Sequence, residues 1–238
     1  MSEISELVRT LLAKRGLTDA AAIHAFLNPD YEAHTHSPFL LEGMDKAVAR
    51  ILFAITRGER IAIYADFDCD GIPGAAVLSD FFQKIELNNF EVYLPHRDRE
   101  GYGFHIEAIE ALAARGVKLI ITVDVGTNAV NAVQYAKEKG VDVIVTDHHE
   151  FSADSVKSDA SNGAGAVAVL NPKLGAYPFR DLCGAAVAFK LVQALLQEGR
   201  RHSTPRFHDI PIGWEKWLLD LVGIATIADM VPLRGENR

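Results

Sequence analysis

Apolar positions along this chain follow two spacings, and the spacings take turns. The first stretch is helical in period. Ile4, Leu7, Val8, Leu11 and Leu12 make a stripe on one helix face, ended by Gly16. Ser2 is the expected N-cap, with Glu3 and Glu6 placing negative charge in the first turn where the helix dipole favours it. Thr18 is expected to cap a second short helix through Phe26 and Leu27, stopped by Asn28-Pro29. From Asp30 to about Leu41 turn formers and histidines predominate, which predicts an irregular connector with His34 and His36 as loop residues. A third helix is expected from Met44 to about Thr56, with Ala47, Val48, Ile51, Leu52 and Ile55 on one face and Gly58 as its stop.

At Ile61 the pattern changes. Ile61 to Ala65 is a short apolar run rich in β-branched and aromatic residues, as in a buried strand. A helix follows with Val77, Leu78, Phe81, Phe82 and Ile85 on one face and Pro73 in its first turn. The strand Phe90 to Leu94 and the polar loop Pro95 to Gly103 come next. Ile106, Ile109 and Leu112 mark a helix ending at Gly116, Val117 to Val123 a strand, Asn128 to about Lys139 a helix, and Val141 to Thr146 a strand. Residues 151 to 165 have the composition of a surface loop. Ala166 to Leu170 reads as a buried strand closed by Asn171-Pro172, and Gly184 to about Glu198 as a helix. The polar stretch 200 to 213 is loop-like, and Trp214 to Ile227 reads as a buried helix leading to Asp229. Strands alternating with helices of these lengths predict an α/β fold, a mainly parallel sheet flanked by helices. A small helical segment, residues 1–43, precedes this domain, residues 44–238.

The strand ends carry the chemistry. Tyr64-Ala65-Asp66-Phe67-Asp68-Cys69-Asp70-Gly71 closes the first strand, Asp124 follows Val123, and Asp147-His148-His149 follows Thr146. In an open α/β sheet the carboxyl ends of the strands form the rim where ligands bind. Carboxylates crowded there repel one another and are costly to desolvate unless a cation neutralises them. Mg²⁺ and Mn²⁺ prefer oxygen ligands, and Mn²⁺ tolerates imidazole better. Two such ions about 3.5–4 Å apart serve phosphoester hydrolysis. The candidate cluster is Asp66, Asp68, Asp70, Asp124, Asp147, His148, His149 and Asp229. Taken singly, each piece has a plainer reading, as a solvated acidic turn or as histidines capping a strand; their convergence on one edge favours the metal. No Gly-Lys-Ser/Thr follows the first strand, and acids occupy the turn where a pyrophosphate would sit, so P-loop and Rossmann sites are excluded.

Composition adds little that is discriminating. An apolar share of 49% and a charged share of 24% over 238 residues are those of an ordinary globular protein. No apolar run approaches the roughly 20 residues of a membrane helix. The start Met1-Ser2-Glu3 lacks the order of a signal peptide, and two cysteines make no disulfide framework, so a cytoplasmic location is expected. The net charge of −8 argues against a nucleic-acid partner until six of the aspartates are assigned to a cation site.

The Asp147-His148-His149 triplet is the signature of the DHH phosphoesterases. The whole set resembles their RecJ-type branch, bacterial exonucleases that degrade single-stranded DNA from the 5′ end. The features that carry the resemblance are the 64–71 motif, Arg97 with Glu100-Gly101-Tyr102-Gly103, Thr122-Val123-Asp124, the triplet, and Ile227-Ala228-Asp229-Met230-Val231-Pro232-Leu233. The resemblance implies two Mn²⁺ ions, with Mg²⁺ as the alternative. Asp68 and Asp70 would each hold one ion, with Asp124 bridging, His148 and Asp229 completing the second, and His149 and Asp147 forming inner and outer layers of support. It also implies that Asp66 replaces a histidine found elsewhere in the superfamily where Tyr64 stands here, and that Arg97 faces DNA phosphates. It further implies metal-dependent hydrolysis of single-stranded DNA in repair and recombination. RecJ-type enzymes continue into a glycine-rich substrate domain and an oligonucleotide-binding fold. Neither lies within these 238 residues, so the expectation is a catalytic domain with weak or no exonuclease activity alone, any repair or replication partners acting through the absent parts. Two rivals remain: another DHH phosphoesterase, acting on short oligonucleotides or cyclic dinucleotides, and a non-catalytic replication scaffold.

Overall fold

Strands β1 (Arg60–Ala65), β2 (Phe90–Tyr93), β3 (Val117–Val123), β4 (Asp142–Thr146) and β5 (Ala168–Leu170) form one parallel sheet in the order β2-β1-β3-β4-β5. The computed structural model describes residues 4–152, 155, 165–202 and 205–238. From β1 the chain moves outward to β2, then returns past β1 to add β3 on its other side. The direction of winding therefore reverses between β1 and β3, and a crevice opens at their carboxyl ends.

Helices cover both faces because successive strand residues point to opposite sides. Ile61, Ile63 and Ala65 of β1 join the core beneath α4 (Met44–Arg57), α5 (Gly71–Lys84) and α8 (Gly184–Arg201). Ala62 and Tyr64 join the opposite core beneath α6 (Ile106–Ala114) and α7 (Val130–Glu138). Strands sandwiched this way are apolar on both sides, which is why they read as continuous runs rather than alternating ones. Each fully buried Ile, Leu or Phe contributes about 1.5–3 kcal/mol.

The register aligns the strand ends. Ala65 pairs with Val123, Val123 with Thr146, and Thr146 with Leu170. The next residues, Asp66, Asp124, Asp147 and Asn171, thus stand in a row along the sheet edge. The ladder runs one step further: the Asp66 amide donates to the Val123 carbonyl (3.1 Å), that of Asp124 to Thr146 (2.9 Å) and that of Asp147 to Leu170 (3.0 Å).

Several expected details are corrected. The first helix, α1 (Glu6–Lys14), is capped by Ser5, while Ser2 lies outside the described residues. Asp19, not Thr18, caps α2 (Ala20–Leu27), its carboxylate accepting from the Ala22 amide at 2.9 Å; an ionised acceptor makes the stronger cap. The expected connector contains a helical turn, α3 (Tyr31–His34), capped by Asp30, and a 3₁₀ turn over Pro38–Leu40. Helix α7 starts at Val130 because the Asn128 side chain is engaged with Glu150 and Ser152. Most of the predicted loop 151–165 lies outside the described residues, and the stretch 200–213 contains α9 (Pro205–His208). The largest difference is the expected buried helix at 214–227. It divides into a 3₁₀ turn (Trp214–Leu218) and α10 (Leu219–Ala228), and Trp217, Ile227 and Met230 are 81%, 68% and 87% exposed. Hydrophobicity alone carries no record of which neighbour covers a face. Among the described residues no helix is long and apolar enough to cross a membrane.

Candidate metal centre

Carboxylates from four elements, the ends of β1, β3, β4 and α10, meet at the crevice. Asp66, Asp68 and Asp124 bring one carboxylate oxygen each to within 4.8 Å of one another, as do the ligand atoms of Asp70, His148 and Asp229, and those of Asp124, His148 and His149. Asp124 and His148 each belong to two groups, so the groups form one continuous cluster. Asp68 and Asp70 therefore serve different sides of it.

Local structure dictates this split. Asp68 Oδ1 accepts from the amides of Asp70 (2.8 Å) and Gly71 (2.9 Å), tightening the turn into α5. A side chain at Gly71 would put its Cβ 2.4 Å from the Asp66 carbonyl oxygen, so only glycine permits the turn. Asp70 faces the start of α8, accepting from the amides of Gly184 (2.6 Å) and Ala185 (2.7 Å). The positive end of a helix favours a carboxylate there. Asp124 has φ +60°, in the left-handed region that L residues rarely enter, and it lies against Gly184, where a Cβ would stand 2.6 Å from its own.

The histidines are held from behind. Asp147 Oδ1 accepts from the amides of His148 (2.7 Å) and His149 (3.2 Å) and lies 2.7 Å from His149 Nδ1, while its Oδ2 accepts from the Thr127 amide (2.8 Å). Asp147 is thus placed to orient the pair, its oxygens occupied by protein donors. His148 Nε2 lies 3.2 Å from Asp124, 3.6 Å from Asp70 and 3.7 Å from Asp229. Asn171 was not singled out from the sequence. Fully buried, it donates to the His149 carbonyl (2.9 Å) and to Thr127 Oγ1 (3.1 Å). The signal was present: Asn171 follows β5 as Asp66 follows β1.

Arg97 and Tyr102 border the pocket. The Arg97 guanidinium stacks over the Phe67 ring at 4.4 Å. The Tyr102 hydroxyl is 3.4 Å from His149 Nδ1, a neighbour the sequence did not reveal. Tyr64 points away from the pocket: it is fully buried, stacks on Tyr93 at 5.3 Å and donates to the Gly103 carbonyl at 2.8 Å.

Electrostatics test whether a cation belongs here. Burial, then the charges of Asp70, Asp147 and Asp68, push Asp124 up to about 10. Burial also raises Asp66 and Asp70. Asp147 goes the other way: burial would raise it, but the His149 ring and the Thr127 amide hold it down to about 2. Asp66 Oδ1 and Asp124 Oδ1 are buried without a hydrogen-bond partner among the described residues. Buried carboxylate oxygens that accept no hydrogen bond, beside imidazoles, are the donor set of a hard or borderline divalent cation, and the residues fit one.

Residues 60–226 match the DHH family, N-terminal domain. The chain belongs to the DHH family. It is 40% identical over 237 residues to the single-stranded-DNA-specific exonuclease RecJ of Bacillus subtilis (strain 168), covering 99% of this chain and 27% of that protein. It is 34% identical over 239 residues to the RecJ of Escherichia coli (strain K12), covering 100% of this chain and 39% of that one. This DHH chain therefore spans between about a quarter and two fifths of the length of these relatives. Among solved structures, exonuclease RecJ bound to manganese superimposes with a TM-score of 0.70 at 31% identity, over 86% of this chain and 47% of that one. RecJ from Thermus thermophilus in complex with Mn²⁺ gives 0.69 at 28% identity, over 95% of this chain and 29% of that one.

Proposed function

We propose that this chain is the catalytic part of a metal-dependent phosphodiesterase that hydrolyses single-stranded DNA from its 5′ end. In this reading residues 1–43 are a segment that precedes the catalytic domain, residues 44–238. The observation that carries the reading is the continuous cluster in which Asp124 and His148 link three groups of ligand atoms. Asp66, Asp68, Asp124 and His149 would hold one Mn²⁺ or Mg²⁺ ion, and Asp70, Asp124, His148 and Asp229 the second. Two such ions lower the pKa of an attacking water and stabilise charge on the phosphoryl oxygens. The similarity to RecJ of two bacteria and to manganese-bound RecJ structures supports the substrate and the metal. A role in DNA repair and recombination, in the cytoplasm, belongs to the same proposal.

The chain's own residues supply orientation. Asp147 Oδ1, 2.7 Å from His149 Nδ1, would fix the ring by accepting a hydrogen bond from Nδ1–H, leaving Nε2 for a metal. The amides of α8 hold both oxygens of Asp70 against rotation. Arg97 offers a guanidinium to a phosphate at the pocket rim, and such contacts position a nucleic acid without reading its sequence.

The test is Mn²⁺ binding followed by calorimetry, alongside release of mononucleotides from a 5′-phosphorylated single strand. The expected result is about two ions per chain and weak Mn²⁺-dependent cleavage, both lost in Asp124→Ala. Unchanged Mn²⁺ stoichiometry in that variant would refute the shared role of Asp124. A chain that cleaves cyclic dinucleotides in preference to the single strand would refute the substrate.

A further inference from the structure

The loop between β2 and α6 borders the metal centre, from the aspartate-rich turn to His149. At one end Arg97 rests on Phe67, inside the aspartate-rich turn, with Nη2 3.4 Å from the Phe67 carbonyl. At the other end the Tyr102 hydroxyl reaches His149. Neither side chain could hold such a station on an unsupported polar loop, because ordering a residue costs about 1–2 kcal/mol of backbone entropy.

Glu100 is the support. It lies on the exposed loop, yet both its oxygens turn back into the protein: Oε1 accepts from the Tyr93 hydroxyl at 2.6 Å, Oε2 from the His96 amide at 2.7 Å. Tyr93 is on β2, so the carboxylate ties the loop to the sheet. The amides of Arg99, Glu100 and Gly101 meanwhile converge on the His96 carbonyl at 3.1, 2.9 and 3.3 Å. These bonds close a tight turn that contains Arg97. Beyond it, the Gly101 carbonyl lies 3.1 Å from His105 Nε2, and the Tyr64 hydroxyl secures Gly103. Arg97 itself has no carboxylate partner within salt-bridge distance among the described residues, so its charge is open to a phosphate.

We propose that Glu100 is a positioning residue for nucleic acid: it fastens the 95–103 loop as a strap over the metal pocket and sets Arg97 where a substrate phosphate lies. The inference rests on the reading of this chain as a phosphodiesterase of single-stranded DNA. Glu100 touches neither metal ligands nor substrate and acts through Arg97. Loss of Glu100 therefore weakens the grip on an oligonucleotide and leaves the metal site intact.

The experiment is a double-mutant cycle in the 238-residue chain, read by fluorescence anisotropy with a 5′-phosphorylated oligothymidylate and Ca²⁺ to suppress hydrolysis. Glu100→Ala and Arg97→Ala are each expected to weaken binding about tenfold, the scale of one charge-assisted hydrogen bond. The double variant is expected to be no weaker than Arg97→Ala alone, since residues that act as one unit are not additive. Mn²⁺ stoichiometry of Glu100→Ala should match that of the unmodified chain. Additive losses, an unchanged Glu100→Ala, or loss of Mn²⁺ binding in that variant would overturn the proposal. Hydrogen exchange of the 95–103 amides, read without nucleic acid, separates the two readings. Faster exchange in Glu100→Ala supports the strap even if the unmodified chain binds no oligonucleotide, an outcome that would count against the substrate alone; unchanged exchange sinks the strap.

Discussion

At Asp124, burial and three neighbouring carboxylates raise the acid to about 10, so the metal-free site carries a proton through neutral pH. A raised acid stabilises the fold fully below its unfolded value of 3.8, and that contribution is lost as pH rises through about 10. A divalent cation displaces the proton and reverses the trend, because it binds only the ionised form. Mn²⁺ binding at pH 7.5 is therefore expected to release about one proton per chain, measured by calorimetry in buffers of different ionisation enthalpy. The gain in Tm on adding Mn²⁺ should also be larger at pH 8 than at pH 6. A buffer-independent binding enthalpy would contradict this account. Asp147, a few ångströms away, shows how local partners decide: the His149 ring and the Thr127 amide hold the same kind of buried carboxylate down to about 2.

Among the elements, α8 contributes most to the site while supplying no ligand. Its first two amides hold Asp70, and its first residue has no side chain because the β3 end must approach it. Gly184→Ala would place a Cβ 2.6 Å from Asp124 Cβ, and neither group is a flexible chain end that can swing aside. The variant is expected to fold with a displaced Asp124 and to lose about 100-fold in kcat, the cost of a misplacement near 1 Å. Steady-state hydrolysis of bis(p-nitrophenyl) phosphate, with circular dichroism to confirm folding, checks it. None of this was visible in the helix pattern of 184–198, which showed only small residues suited to close packing. The acids at the ends of β1, β3 and β4 were visible, because a parallel strand buried on both faces leaves an unmistakable apolar run before its terminal residue. Asn171 sits in the same row but is uncharged, and its buried bonds to His149 and Thr127 exist only once β4 and β5 are paired.

For the molecule as a whole, a buried ion pair ties the end of the chain to its beginning. Lys190 Nζ on α8 contacts Glu236 at 2.5 Å and donates to the His36 carbonyl at 2.8 Å, and the same carboxylate accepts from the His36 amide and the Tyr177 hydroxyl. Both side chains of the pair are at most 4% exposed. Removing one partner strands the other charge, so Glu236→Ala is expected to cost about 3–5 kcal/mol in urea unfolding. Lys190→Met/Glu236→Leu, which removes both charges, should recover most of it. A double variant as unstable as the single one would show that the pair's hydrogen bonds, not its stranded charge, set the cost. The anchor lies seven residues beyond Asp229, so the same contact restrains the segment that follows a candidate ligand.

By itself, the sequence determined the alternation of strands and helices, the parallel sheet, and the acids and histidines at three strand ends, because each follows from local period and from residues one step past a buried run. Tertiary structure alone decided the gathering of those groups into three overlapping clusters, the turning of Asp147 toward His149, and the inward burial of Tyr64. These depend on strand register, on the face each residue takes and on the amides of distant helices. It also decided that the apolar stretch around Trp217, Ile227 and Met230 lies open in this structure, because hydrophobicity states a need for cover and only packing shows whether it is met. The aspartate-rich turn after β1 holds both kinds of information, its carboxylates set by sequence and their separate directions by the fold around them.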